Sequence, residues 1–205
     1  MTSETLCTNR KAIEDFIYEI TRDWHDDPNQ SGLFELRCLG EHRKPVTQRF
    51  ALHACDEAVD LAINMNDAKL NIYMTINPIT NNAASKAATD ADILRAHYTF
   101  VDADDQSGLR GLNALAAKLE PDIIVITGTI PHERRHAYWR LLEPCTDLKL
   151  WRHWQLDRVK RYQTDTAVTN PSRLMRIAGT VSYPNRKKLA KGYVPELTTM
   201  KLSIS

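Results

Sequence analysis

Apolar residues recur every three to four positions between Asn9 and Trp24, with Ile13, Phe16, Ile17 and Ile20 falling on one side. That spacing predicts a helix burying one stripe, and Thr8 or Asn9 stands where its cap belongs. Asp26 to Gly32 (DDPNQSG) reads as a loop. The period then drops to two: Leu33, Glu35, Arg37 and Leu39 alternate with Phe34, Leu36 and Cys38, a strand. A second short strand at Gln48 to Leu52 completes a hairpin. His53 to Lys69 returns to helical spacing through Ala54, Ala58, Leu61 and Ala62. NIYMTI (Asn71 to Ile76) is a strand closed by Asn77-Pro78, and the Ala-rich stretch from Thr80 to Arg95 is a helix or an excursion.

The second half repeats the alternation on a larger scale. YTFVDAD (Tyr98 to Asp104) is a strand, and Leu109 to Leu119 a helix with Leu112, Leu115 and Leu119 inward. DIIVIT (Asp122 to Thr127) is apolar enough for a buried central strand. HAYWRLL (His136 to Leu142) is another strand, and Leu148 to Tyr162 a helix with Leu150, Trp154 and Val159 on its packed face. A short helix is expected at Pro171 to Met175. Strands follow near Thr180 to Tyr183 and, past a turn at Gly192, Tyr193 to Leu202. This order implies an α/β fold with a mixed sheet. The expected organisation is a single domain over 1–205, with a helix and hairpin in 1–70 and the chemistry in 71–205.

Composition narrows the class. With 42% apolar and 26% charged residues, the chain is neither disordered nor collagen-like. No apolar run approaches the ~18 residues of a membrane span, so no membrane partner is expected. MTSETLCTNRKAIED has no unbroken apolar stretch of the secretory kind. Cys7, Cys38, Cys55 and Cys145 lie far apart with no CxxC pair, which argues for a reduced, cytoplasmic setting. The net charge of +1 hides an asymmetry: Pro131 to Lys191 holds 14 Lys or Arg against 5 Asp or Glu. Such a segment suits a polyanion met by one face, or a solvated basic helix around Arg152 to Arg161.

Three clusters carry candidate chemistry. Asp102 and Asp104 project from one face of a strand end, where two carboxylates can share hard divalent cations or simply cap the next helix. Thr127-Gly128-Thr129 ends a buried strand in a turn small enough for backbone N–H groups to approach phosphates. His136 opens the next strand and offers a hydrogen bond or a positive charge. In DTAVTNPSRLMRIAGT, Arg173 and Arg176 would be neighbours on a helical turn, able to grip polyphosphate oxygens. Asp165 or Asn170 could extend a metal shell. Tyr138, Trp139 and Tyr183 read as core or sheet residues ahead of base-stacking platforms.

Together these clusters resemble the archaeo-eukaryotic primase superfamily, and within it the RepB-type primases and primase-polymerases of plasmids, phages and integrated elements. The likeness rests on YMTINP (Tyr73 to Pro78), FVDADD (Phe100 to Asp105), VITGT…HAYWRLLEP (Val125 to Pro144), DTAVTNPSRLMRIAGTVSYP (Asp165 to Pro184) and GYVPEL (Gly192 to Leu197). It implies a primase-like core with RRM-like βαβ elements. It also implies Mg²⁺ or Mn²⁺ held by Asp102, Asp104 and Asp165, and a catalytic role for Asp102, Asp104 and His136. Nucleotide binding would fall to Thr127, Gly128, His136, Arg173, Arg176 and Lys187. The implied partners are a single-stranded DNA template, nucleoside triphosphates and a replicative helicase, the chain being either standalone or the first part of a longer primase-helicase. Arg152 to Arg161 and Arg186 to Lys191 would track the template backbone. The chain departs from the family pattern in the long TIPHERR insert before His136, in Asn170, and in RIAGT. Three other readings are weighed: a noncatalytic replication-initiator module of the same fold, a nicking relaxase using His132 and His136, and a metal-dependent phosphohydrolase.

Overall fold

A computed structural model describes residues 6–24, 32–83 and 86–203. Helix α1 (Arg10–Thr21) is capped by the Asn9 side chain and buries Ile13, Phe16, Ile17 and Ile20, the stripe that the spacing predicts. The hairpin is β1 (Phe34–Gly40) and β2 (Arg43–Phe50), followed by α2 (Cys55–Asp67) and β3 (Asn71–Thr75). The loop expected over Asp26 to Gly32 lies, except for Gly32, outside the described residues. Thr80 to Arg95 is an excursion with one 3₁₀ turn at Asp90–Asp92, closed by a Thr89/Asp92 capping box. The second half runs β4 (Ala96–Ala103), α3 (Gln106–Ala116), β5 (Ile123–Gly128), β6 (Arg134–Cys145) and α4 (Leu148–Tyr162). Then come β7 (Leu174–Arg176), β8 (Val181–Ser182), α5 (Arg186–Leu189), β9 (Glu196–Leu197) and β10 (Thr199–Leu202).

The strands form two four-stranded sheets, β2-β1-β3-β7 and β10-β5-β6-β4, and a short β8-β9 pair. Every ladder between these strands is antiparallel. Because β4 and β5 both run against β6, α3 joins two parallel strands across it, a split βαβ element. The main core draws on α1, α2 and both sheets, including Phe16, Leu36, Ile72, Phe100 and Tyr138. A smaller core of Val101, Ala103, Leu112, Leu115, Trp139 and Val159 lies where α3 and α4 cover the opposite face of the second sheet. Among the described residues no helix is long and apolar enough to cross a membrane.

β4 is therefore buried on both faces, yet it is also an edge strand. Its outward backbone groups need partners, since an unpaired buried amide or carbonyl is costly. Helix α4 and the segment after it supply them. The Trp151 indole N–H donates to the Tyr98 carbonyl at 2.8 Å. The Gln155 amide accepts from Phe100 N–H at 3.3 Å and donates to the Phe100 carbonyl at 2.6 Å. Asp165 N–H then donates to the Asp102 carbonyl at 3.0 Å. The tie needs α3 and α4 close together, and at Gly111 any Cβ would run into the Tyr162 carbonyl.

This pairing corrects the expected phase of α4. Trp151, Gln155 and Val159 face inward, while Leu150 and Trp154 are 43% and 41% exposed. Leu119, expected inside, lies past the end of α3 and is exposed. The helix expected at Pro171 to Met175 is instead a turn leading into β7, because β3 offers an edge that pairs Tyr73 with Arg176 and Thr75 with Leu174.

Two outcomes follow. Gln155→Leu strips the partners from both backbone groups of Phe100 and lowers unfolding free energy by roughly 2–4 kcal/mol, read from urea denaturation. His97 is 3% exposed, and burial, reinforced by the charge of Arg95, pushes its pKa down to about 4. An unfolded histidine takes its proton near 6.5, so this contribution is complete above that pH and is lost as pH falls from 6.5 to 4. The loss reaches up to about 3 kcal/mol. Urea midpoints measured at pH 7 and pH 5 should differ less in His97→Gln than in the parent protein.

Candidate active site

The carboxylates sit where β4 ends. Asp102 lies directly across from His136 on β6, and the Asp102 Oδ2 to His136 Nε2 distance is 3.7 Å. The Tyr138 hydroxyl, two residues along the same face, is 3.4 Å from His136 Nδ1. Burial pushes the His136 pKa well down, and the nearby Arg176, Arg173 and Lys188 add to this against the pull of Asp104. These surroundings favour the neutral imidazole, which offers a hydrogen bond, over the positive charge. Asp102 is pushed the other way, upward, first by burial and then by Asp104 and Asp165. Its Oδ1 is buried without a hydrogen-bond partner.

Asp104 is more open and receives the Lys188 ammonium at 3.1 Å. Burial alone would raise its pKa, but the charges of Lys188, which also donates to it, and of Arg134 hold it below the usual carboxylate value. Asp165 reaches this corner through its backbone bond to Asp102. Its side chain accepts from Ala167 N–H at 2.8 Å and stands 3.9 Å from Arg173. Among the described residues no three metal-ligating side chains are yet drawn onto one point. The donor set nonetheless fits a hard divalent cation: the charges of Asp104 and Asp165 add to burial in disfavouring the ionised form of Asp102, and the orphaned Asp102 oxygen lacks a partner. Asn170 is elsewhere. Its amide donates to Asp90 and Ser172, so it serves the turn before Arg173 and is not placed as a ligand.

Beside the carboxylates opens a cavity of about 180 Å³ whose lining includes Tyr73, Arg134, Arg176, Tyr183, Lys188 and Tyr193. Its lining holds three cations and no acid. Arg176 is fixed by Asn71 at 2.5 Å and by the Tyr73 hydroxyl at 2.8 Å, with its guanidinium over the Tyr73 ring. The two arginines expected side by side on a helical turn therefore part: Arg173 goes to Asp165, Arg176 to the cavity. Lys188 bridges the two halves of the site, and this is the residue that counting along NRKK misses. Asn185 caps α5, its side-chain oxygen accepting from Lys188 N–H, which phases the helix so that Lys188 turns inward and Lys187 is exposed.

The small-residue turn also differs from expectation. Thr127 and Gly128 do not line the cavity, and the amides beyond them already hold an anion. The Glu196 carboxylate accepts from Thr129 N–H at 2.7 Å, from the Thr129 hydroxyl at 2.6 Å and from Ile130 N–H at 3.3 Å. It also receives Arg134 at 2.9 Å. These donors overcome the upward pull of burial and hold Glu196 below its usual pKa. Gly128 is required because the Arg134 guanidinium lies against it. His132 bonds the Asp104 carbonyl at 2.9 Å and stacks edge-on with Tyr193, apart from His136. Sequence reasoning overlooked Arg134, Lys188 and Glu196. Tyr73, Tyr183 and Glu196 do lie inside the quoted motif runs, which was the available signal.

No family model and no curated protein matches the chain. Solved structures do. The AEP domain of the cyanophage S-2L primase-polymerase superposes with a TM-score of 0.66 at 19% identity, covering 96% of this chain and 91% of that one. The chain has the archaeo-eukaryotic primase fold. Primase RepB′ superposes with a TM-score of 0.59 at 17% identity over 95% of this chain and 56% of that one. The catalytic domain of RepB′, solved in complex with initiator DNA, gives 0.56 at 17% identity over 96% and 84%. Within the primase fold, the α4-to-β4 tie and the β4-to-β6 register put Asp102, Asp165 and His136 in one corner.

Glu196→Gln weakens the anion in this turn while leaving its shape. Amide hydrogen exchange at Thr129 and Ile130 should then accelerate by about 10-fold, the effect of losing roughly 1.4 kcal/mol of charge-assisted bonding.

Proposed function

We propose that this chain is a primase-type nucleotidyltransferase, joining nucleoside triphosphates on a single-stranded DNA template during replication of a plasmid, phage or other mobile element. One observation carries the reading: the carboxylates at the end of β4, beside a buried histidine, open through Lys188 onto a cavity whose charged lining residues are all cations. The fold neighbours support it, being a phage primase-polymerase and a RepB′ primase.

Asp102 and Asp104, with Asp165 beside them, would hold Mg²⁺ or Mn²⁺. When bound, such cations acidify an attacking 3′-hydroxyl and neutralise charge on departing pyrophosphate. The protein's own share is positioning and electrostatics. Arg134, Arg176 and Lys188 bind the triphosphate, with Arg176 pre-set by Asn71 and Tyr73 so that little ordering remains. His136, edge-on to Tyr138 and in surroundings that favour its neutral form, supplies one directed hydrogen bond beside Asp102. Arg173 balances Asp165. The exposed Arg152, Lys160 and Arg161 on α4 and Arg186 and Lys187 on α5 follow the template backbone, which makes template binding fall steeply with salt. A replicative helicase is the expected partner, in the cytoplasm.

Primer synthesis on a single-stranded template with Mg²⁺ or Mn²⁺ tests this. Asp102→Ala/Asp104→Ala should lose at least about 100-fold, and activity surviving that change overturns the reading. Lys188→Ala should raise the KM for nucleoside triphosphate by about 10-fold, and Lys187→Ala should change it little.

A further inference from the structure

The strip of α4 left outside by its tie to β4 has a chemistry of its own. Leu150 and Trp154, one turn apart, are 43% and 41% exposed, and Arg158 follows one turn later. Next to them an open groove of about 530 Å³ runs between α3 and α4, with Leu115 and Tyr162 among its lining residues and Trp154, Arg158 and Arg161 along it.

Arg158 is the telling residue. Its guanidinium stacks on the Trp139 ring at 4.9 Å, and its NH1 is buried with no hydrogen-bond partner. Burial also lowers its pKa from the usual arginine value. A charged donor held in that state calls for an anion. The single acid in the lining, Asp157, is engaged with Arg161 at 3.3 Å. Lys118 adds a cation over the Tyr162 ring, 5.7 Å from its centroid. A flat exposed indole next to an unmatched guanidinium is the pairing that unstacked nucleotides recognise: a base on the ring, a phosphate on the guanidinium. An apolar peptide would cover Leu150 and Trp154 but leave the Arg158 donor unmet. The groove's Tyr162 end is three residues before Asp165, so chain connectivity keeps the two within about 11 Å along the backbone.

We propose that the α3–α4 groove is a second nucleic-acid site that holds a single-stranded segment, stacking one base on Trp154 and placing a phosphate against Arg158 and Arg161. It deepens the proposed function and rests on it for the identity of the strand as template.

The test is fluorescence anisotropy of a labelled 12-nucleotide oligo-dT with the whole chain, alongside quenching of tryptophan emission. Trp154→Ala should weaken binding by about 10-fold, the loss of one stacked base, and Trp154→Phe should restore most of it. Arg158→Gln should weaken binding similarly and flatten its salt dependence. Trp154 is exposed, so its variant folds; matching urea midpoints check this. Oligo-dT affinity unchanged in Trp154→Ala overturns the proposal and leaves the exposed Leu150–Trp154 strip to a protein partner. The two readings fail separately. If the parent makes no primer yet Trp154→Ala still loses oligo-dT, the catalytic reading falls and the groove stands. If primer synthesis responds to Asp102→Ala/Asp104→Ala while Trp154→Ala binds like the parent, the groove falls alone.

Discussion

β4 runs through the protein with side chains buried on both faces and one backbone edge that no strand covers, and the way the chain meets that demand sets the rest of the architecture. Tyr98, Phe100 and Asp102 present their outward groups at every second residue, as a strand must. Indole, amide and main-chain N–H answer them in turn from Trp151, Gln155 and Asp165. The same row of bonds that keeps the strand from being left unpaired thus carries an acid to its end. Other amide side chains repeat the device. Asn66 exchanges bonds with both backbone groups of Val181, and Asn71 with both of Tyr183. The segment bearing β8 and α5 is thereby stitched to the first sheet.

The electrostatics of the corner follow from that placement. In this poorly solvated place the charges of Asp104 and Asp165 add to burial in raising the pKa of the enclosed Asp102. The protein does not neutralise them with one buried partner. It surrounds them with cations that have duties elsewhere: Lys188 belongs to α5, Arg173 to the turn before β7, Arg134 to the Glu196 anchor. Charge balance is therefore spread over several elements, and the corner stays chemically available.

Much of this was legible along the chain, and the exceptions share one cause. The stripe of α1, the alternation of β1 and the paired acids of FVDADD follow from local period and residue type, which sequence displays directly. The phase of α4 was misread because apolar Leu150 and Trp154 look like core and Gln155 does not; only the distant edge of β4 makes a buried glutamine favourable. The residues after Pro171 form a strand because β3 waits for one, against the i,i+3 spacing of their arginines. The turn at Thr127–Thr129 has the small residues of a phosphate cradle, but nothing near it in sequence reveals that Glu196 fills it. Lys188, not Lys187, faces the site because Asn185 caps α5 through Lys188 N–H, a phase that the run NRKK does not display.

Gly111 draws these threads together. The backbone of α3 rests there directly on the last turn of α4, the turn that hands the chain over to Asp165. A methyl group at that point would act as a shim, lifting the end of one helix from the other and sliding an acid out of register with its fellows. Tolerance to change in this molecule is consequently not a map of inside against outside. One of its least replaceable positions contributes no side chain, and what it supplies to chemistry several residues away is the absence of thickness.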